Sequence, residues 1–169
     1  TGALAKDLEL SAVQRSNPEM QKRVYNALRS LTLTEDNPIV SIHDHGAGGH
    51  ANCFSELIEK GGEIDISKLP LGDPTLTPRE LISNESQERM GLIISPDDLS
   101  RLKEACERER APFYVVGKVI PNGIIRFFKD DTDIFNMSGD ILFANPPQTI
   151  LTDKKIKLEG KPITLDKDH

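Results

Sequence analysis

Tryptophan is absent from these 169 residues, and only two tyrosines and six phenylalanines accompany the aliphatic side chains. A core built from this chain is therefore aliphatic. Cysteine is scarce as well: Cys53 and Cys106 are too few and too far apart for a disulfide scaffold or a zinc site. That scarcity fits a reducing, cytoplasmic setting. No apolar run approaches membrane-spanning length, and no signal-peptide pattern opens the sequence, so no membrane partner is expected. Basic residues are outnumbered, 21 Lys and Arg against 27 Asp and Glu. The net charge of −6 argues against nucleic acid as the main partner.

What remains is enough for one domain. The hydrophobic fraction of 37% supports a real core at this length. Both ends read as cut: the first residue is Thr1, and Leu151–Asp168 is charged and aperiodic. The expected organisation is a domain over 1–150 and a charged tail or linker over 151–169, excised from a longer chain.

Helix and strand signals alternate. Asn17-Pro18-Glu19 supplies a cap, a proline at the first helical position and an acid in the first turn. Met20, Val24, Leu28 and Leu31 follow as an apolar stripe. Ile39–His43 reads as a short buried strand, and 52–60 as a helix ended by Gly61-Gly62. A second strand covers Glu63–Ile66, and a loop runs over Lys68–Thr77. Thr77-Pro78-Arg79-Glu80 has capping-box spacing and opens a helical turn through Asn84. Gln87–Ser95 is a strand candidate, and Ser95-Pro96-Asp97-Asp98 caps the clearest helix, with Leu99, Leu102 and Cys106 inward. Phe113–Ile120 and Ile124–Lys129 flank Pro121-Asn122-Gly123, a hairpin signal. Asp130–Asp133 reads as a solvated acidic turn and Ile141–Phe143 as a last buried turn. The hairpin spoils a pure parallel pattern, so the predicted class is α+β, a mixed sheet flanked by helices.

The richest segment is Ser41–Gly49, Ser-Ile-His-Asp-His-Gly-Ala-Gly-Gly. An apolar strand feeds a carboxylate, then a loop of small residues, then a helix. Gly46, Ala47, Gly48 and Gly49 let successive amides converge on an anion, and the helix start adds its positive end. A phosphate is the natural guest. Asp44 at the mouth suits the Mg²⁺ that accompanies polyphosphates. Two other readings stay open. One is a plain tight turn. The other is a dinucleotide fingerprint, Gly46-x-Gly48-x-x-Ala51 with Asp65 as its acid.

Glu80 and Asn84 lie four apart, on one face if that segment is helical. With Asp44 they form an oxygen-only set suited to Mg²⁺. The same residues suit helix capping alone. His43, His45 and His50 crowd the loop and read as polar lining of a pocket rather than metal ligands. Cys53, near a helix start, is a candidate for a lowered pKa, although packing explains it too. Arg79 and Arg89 are each able to meet a phosphate.

Four stretches together resemble the phosphoribosylformylglycinamidine synthase family. They are Ala12–Met20 around Pro18-Glu19-Met20, the Ser41–Gly49 loop, Leu71–Leu76 followed by Pro78–Leu81, and Asn84-Glu85-Ser86-Gln87-Glu88-Arg89. The resemblance covers residues 12 to about 130 and weakens after about Asp140. It implies the C-terminal domain of the enzyme's first aminoimidazole-ribonucleotide-synthetase-like half, with α/β/α layers around a mixed sheet. It also implies the cofactors ATP and Mg²⁺, with Asp44, Glu80 and Asn84 as metal ligands and His43, Gly46, Ala47, Gly48 and Gly49 around the nucleotide. The implied reaction is ATP-dependent amidation of formylglycinamide ribonucleotide with ammonia from glutamine. The glutaminase lies in another domain, so no catalytic residue is assigned to this chain. The implied partners are ATP or ADP, the ribonucleotide and the other domains of the same enzyme.

Overall fold

The structure, a computed structural model, describes residues 17–85, 88–155 and 160. Helix α1 (Pro18–Thr32) starts where the cap signal places it. Asn17 Oδ1 accepts from the Met20 amide at 3.0 Å, and Pro18 and Glu19 fill the first turn. Ala27 and Leu31 are its buried residues; Leu28 is half-buried. β1 (Ile39–Asp44) pairs antiparallel with β3 (Met90–Ile94) as a separate two-stranded ribbon. Helix α4 (Leu99–Glu109) packs on α1 through Leu102, Ala105 and Cys106, with Ile39, Leu92 and Ile94 of the ribbon beneath them. Asn26 Nδ2 donates to Glu109 Oε2 across the two helices at 3.2 Å.

The second core lies between two helices and a sheet. Cys53, Phe54 and Ile58, from and just after α2 (Gly49–Leu57), join Leu81 and Ile82 of α3 (Pro78–Ser83). They meet Ile64 of β2 (Gly62–Asp65) and Ile125 and Phe127 of β5 (Ile124–Lys129). With β4 (Gly117–Val119) and β6 (Thr132–Ser138), these strands form a mixed sheet in the order β4-β2-β5-β6. The α+β class and the mixed sheet are as expected.

Local details depart from expectation in instructive ways. β1 is half-buried only at alternate positions, with Val40 and Ile42 exposed, because a two-stranded ribbon is covered mainly on one face. Helix α2 begins one turn earlier than expected and stops at Leu57, so Gly61, at φ +113°, serves the turn into β2 instead of capping the helix. Pro121-Asn122-Gly123 is no hairpin turn. β2 lies between its flanking strands, antiparallel to β4 and parallel to β5. The turn folds over the start of β2, where Ile120 N donates to Gly61 O at 3.1 Å and Gly123 N to Lys60 O at 2.9 Å.

The true hairpin joins β5 and β6 through Asp130-Asp131, both with positive φ, as a two-residue turn matching strand twist demands. Thr132 and Asp133 therefore belong to β6 rather than to the acidic turn. Helix α5 (Gly139–Phe143) forms as expected but is not buried, with Ile141 70% exposed. Only Gly139 is covered, since a side chain there would meet the Glu59 carbonyl at 2.7 Å. Ala12–Ser16, Ser86-Gln87 at the head of the expected strand, and 156–159 and 161–169 of the tail lie outside the described residues. Residues 151–155 are exposed and carry no regular structure.

Candidate functional site

Asp44 ends β1, opposite Met90 of β3, with its carboxylate largely in solvent. The chain then turns back on itself. Gly49 N donates to Gly46 O at 3.1 Å, and Gly48 and Gly49 take φ of +80° and +59°, the left-handed region that side chains resist. Gly48 is the cap residue of α2 and offers no side chain, so no side chain blocks the helix's positive end. Asp44, His45 and Gly46 line one wall of an open groove of about 880 Å³. The apolar face of α1, with Val24, Tyr25 and Leu28, forms the other, and Glu88, Arg89 and Met90 close the end.

The expected metal set is only partly gathered. A Cβ on Gly49 would collide with the Asn84 carbonyl, so the end of α3 lies directly on the glycine loop. Glu80 completes the capping box: its Oε2 accepts from Thr77 N at 2.8 Å and from Thr77 Oγ1 at 2.7 Å. These bonds favour the carboxylate and hold its pKa below the usual range. Asp44 reaches the groove, but Glu80 and Asn84 do not line it. Among the described residues, no three His, Cys, Asp or Glu side chains cluster as a metal site. Of the loop, Gly46 faces the groove, Ala47 and Gly48 are exposed, and Gly49 is buried. Arg79 is exposed.

His43 turns away from the groove. Its Nδ1 meets its neighbour's backbone oxygen, Asp44 O, at 2.8 Å, and its Nε2 bonds Glu56 of α2. The backbone bond first, then Glu56, raises its pKa. His45 and His50 are both buried and bonded to each other, Nε2 to Nδ1, at 2.9 Å. Arg89 Nη1 reaches His50 Nε2 at 3.3 Å. Because a guanidinium only donates, His50 Nε2 accepts, its Nδ1–H donates to His45, and the His45 proton sits on Nδ1. That Nδ1 is buried without a partner among the described residues. His50 also stacks on Phe54, rings 5.8 Å apart and 7° from parallel. Burial holds His50 down at about 3 and His45 at about 4. Sequence reasoning placed these histidines in the loop but missed their pairing and the link to Arg89. Three histidines within eight residues were the available signal.

Cys53 is fully buried, its Sγ set 3.7 Å from the His43 carbonyl. Burial pushes its pKa up to about 12, opposite to the activation a helix start offers. Both nitrogens of His50 are committed elsewhere, so no thiol–imidazole pair forms. Cys106 is likewise buried and raised. A disulfide-exchange reagent should therefore find no fast-reacting thiol in the native protein and two after denaturation. Rapid labelling of Cys53 without unfolding would contradict this.

The dinucleotide reading fails on topology. β1 and β2, which flank α2, lie in different sheets, so these three elements form no βαβ unit. Asp65 instead caps the turn Ile66–Lys68, its Oδ1 accepting from Ser67 N at 3.0 Å.

Residues 2–130 match the family described as AIR synthase related protein, C-terminal domain. The chain belongs to this family. Among solved relatives, phosphoribosylformylglycinamidine synthase II from Thermotoga maritima is 27% identical, with a TM-score of 0.71 over 86% of this chain and 25% of that one. Thermotoga maritima PurL complexed with ATP is 27% identical, TM-score 0.71, over 89% of this chain and 26% of that one. The same PurL complexed with FGAR is 27% identical, TM-score 0.74, over 93% and 26%. This AIR-synthase-type domain thus spans about a quarter of the length of those relatives. Among its described residues, no helix is long and apolar enough to cross a membrane.

Proposed function

We propose that this chain is the Mg²⁺- and nucleotide-binding domain, over 1–150 with a tail beyond, of a cytoplasmic ATP- and glutamine-dependent ligase. That enzyme converts formylglycinamide ribonucleotide to formylglycinamidine ribonucleotide. The domain comes from the first of two related halves, and the isolated fragment is inactive. The observation that carries the reading is Asp44: a solvated carboxylate at a strand end, on a groove, beside a glycine loop that opens an uncapped helix. Family membership and a relative's complex with ATP support it.

The donor set fits Mg²⁺ chemically, being oxygen-only. Asp44, Glu80 and Asn84 would hold the ion, which neutralises phosphate charge when bound. The protein's own part is positioning: loop amides and the α2 dipole orient the phosphates, and α1 walls off one side of the groove. The nucleophile that releases ammonia lies in another domain, consistent with the burial of both cysteines here.

Calorimetric titration of the full-length enzyme tests this. Asp44→Ala, Glu80→Gln and Asn84→Ala should each weaken Mg·nucleotide binding about tenfold or more, the scale of one charged contact. Glutamine also serves in a capping box, so Glu80→Gln separates the metal role from the cap. A structural reading has one observation in its favour, the commitment of the Glu80 carboxylate to that cap. Unchanged binding in all three variants, with folding intact, would establish it.

A further inference from the structure

Arg89 ends the groove, half-buried, yet among the described residues it enters no ion pair. A guanidinium withdrawn from water ordinarily faces a carboxylate. Here its described side-chain acceptor is the neutral Nε2 of His50. Two acids line the same groove, and neither forms an ion pair with Arg89. Glu88 Oε1 accepts from the Asn17 amide at 3.4 Å, and Asp44 Oδ1 lies 3.8 Å from His43 Nδ1. One groove therefore carries a cation and an anion that do not neutralise each other. The His45 amide donates to the Arg89 carbonyl at 3.2 Å, which ties the arginine's backbone to the glycine loop's first turn.

We propose that Arg89, held in place by the neutral His50–His45 pair, is an anion-binding residue that takes a phosphoryl group of the groove's ligand while Asp44 faces its cation. The inference rests on the nucleotide reading above and deepens it by naming the residue that meets phosphate without the metal. An imidazole is the right second partner. It fixes one edge of the guanidinium, and being uncharged it leaves the positive charge for the ligand. A carboxylate in its place would cancel that charge. His50 and His45 act as positioning residues, since neither His50 nor the paired His45 Nε2 is offered to the groove.

The test is an NMR titration of the nitrogen-15-labelled protein, following Arg89 Nε–H and the amides of Gly46–Gly48. The probes are inorganic phosphate, ADP without metal, ribose 5-phosphate and Mg·ADP. Phosphate at millimolar concentration should shift these signals. Arg89→Gln should weaken phosphate binding about tenfold or more, and Arg89→Lys by less, because it keeps the charge and loses the fork. Asp44→Asn should tighten metal-free phosphate and weaken Mg·ADP. Tighter binding of ADP or of ribose 5-phosphate assigns the phosphoryl group to a nucleotide or a sugar phosphate, and either supports the site. His50→Gln should leave Arg89 charged but broaden its Nε–H signal and weaken phosphate binding. Equal phosphate binding by wild type and a folded Arg89→Gln protein would overturn the proposal, as would no shift with any probe. If Asp44→Asn tightens Mg·ADP as well, the metal assignment fails while Arg89 stands.

Discussion

Gly49→Ala should destabilise the fold by about 2–4 kcal/mol and lower Tm by roughly 5–12 °C. Two independent costs add at this position. An alanine at φ +59° enters the left-handed region, at about 1–2 kcal/mol. Its Cβ also meets the Asn84 carbonyl and the Ser83 carbonyl carbon, and both are backbone, so no side-chain rotation relieves the clash. The end of α3 has to move off the loop, and Leu81 and Ile82 of the main core move with it. Gly46→Ala is the control, since its Cβ would find only Asp44 Oδ2 at an ordinary 3.6 Å and should change stability by less than about 0.5 kcal/mol. Urea and thermal melts of the two variants check the pair. Equal effects would mean that glycine content, rather than the contact with α3, sets the loop's tolerance. Because Asn84 is displaced in the same step, Gly49→Ala should also lose Mg·nucleotide affinity.

Helix starts were the most legible part of the chain because their determinants are local. Asn17-Pro18-Glu19 and Thr77-Pro78-Arg79-Glu80 each specify a cap within four residues, and both form the predicted bonds. Strand pairing was not legible in the same way. Pro121-Asn122-Gly123 makes a tight turn as its residues dictate, but no local signal tells that β2 enters between the flanking strands. Sheet order is decided by which apolar faces meet far apart in sequence, here Ile64 with Ile125 and Phe127 over α2. The hairpin that does form was hidden by its composition: Asp130-Asp131 lacks the usual glycine, yet both residues adopt positive φ.

The site divides along the same line. Asp44 at a strand end and the glycine turn into a helix were readable from one continuous segment. That Asn84 rests on Gly49 was not, because α3 reaches the loop only through the packed core. Spacing showed that Glu80 suits either a cap or a metal, and the structure gives the cap geometry directly. The histidines were the largest gap. Periodicity assigns directions along one strand or helix, but His45 and His50 meet across the turn between β1 and α2. Arg89, 39 positions from His50, is brought to them by the β1–β3 ribbon.

Acid should destabilise this protein through His50 before its carboxylates titrate. The imidazole is 2% exposed, and burial, reinforced by the positive charge of Arg89 and by His45, holds its pKa at about 3 against an ordinary 6.5. Between those values the unfolded chain binds a proton that the folded chain refuses, so stability rises with pH across that window. The contribution is fully present above 6.5 and is lost as pH falls below it, by about 2 kcal/mol at about pH 5 for this one group. Urea melts at a series of pH values should show the slope, and His50→Gln should flatten it even though the variant is less stable near neutrality. Equal slopes in the two proteins would place the acid sensitivity elsewhere. The histidine's own NMR signals should stay those of the neutral ring until unfolding begins. Protonation has a definite structural consequence, because the new proton lands on Nε2, the atom to which Arg89 donates. Two donors then face each other beside a buried ring stacked on Phe54. Acid unfolding should therefore begin at this end of the groove, with Arg89 released from its anchor before the mixed sheet loosens.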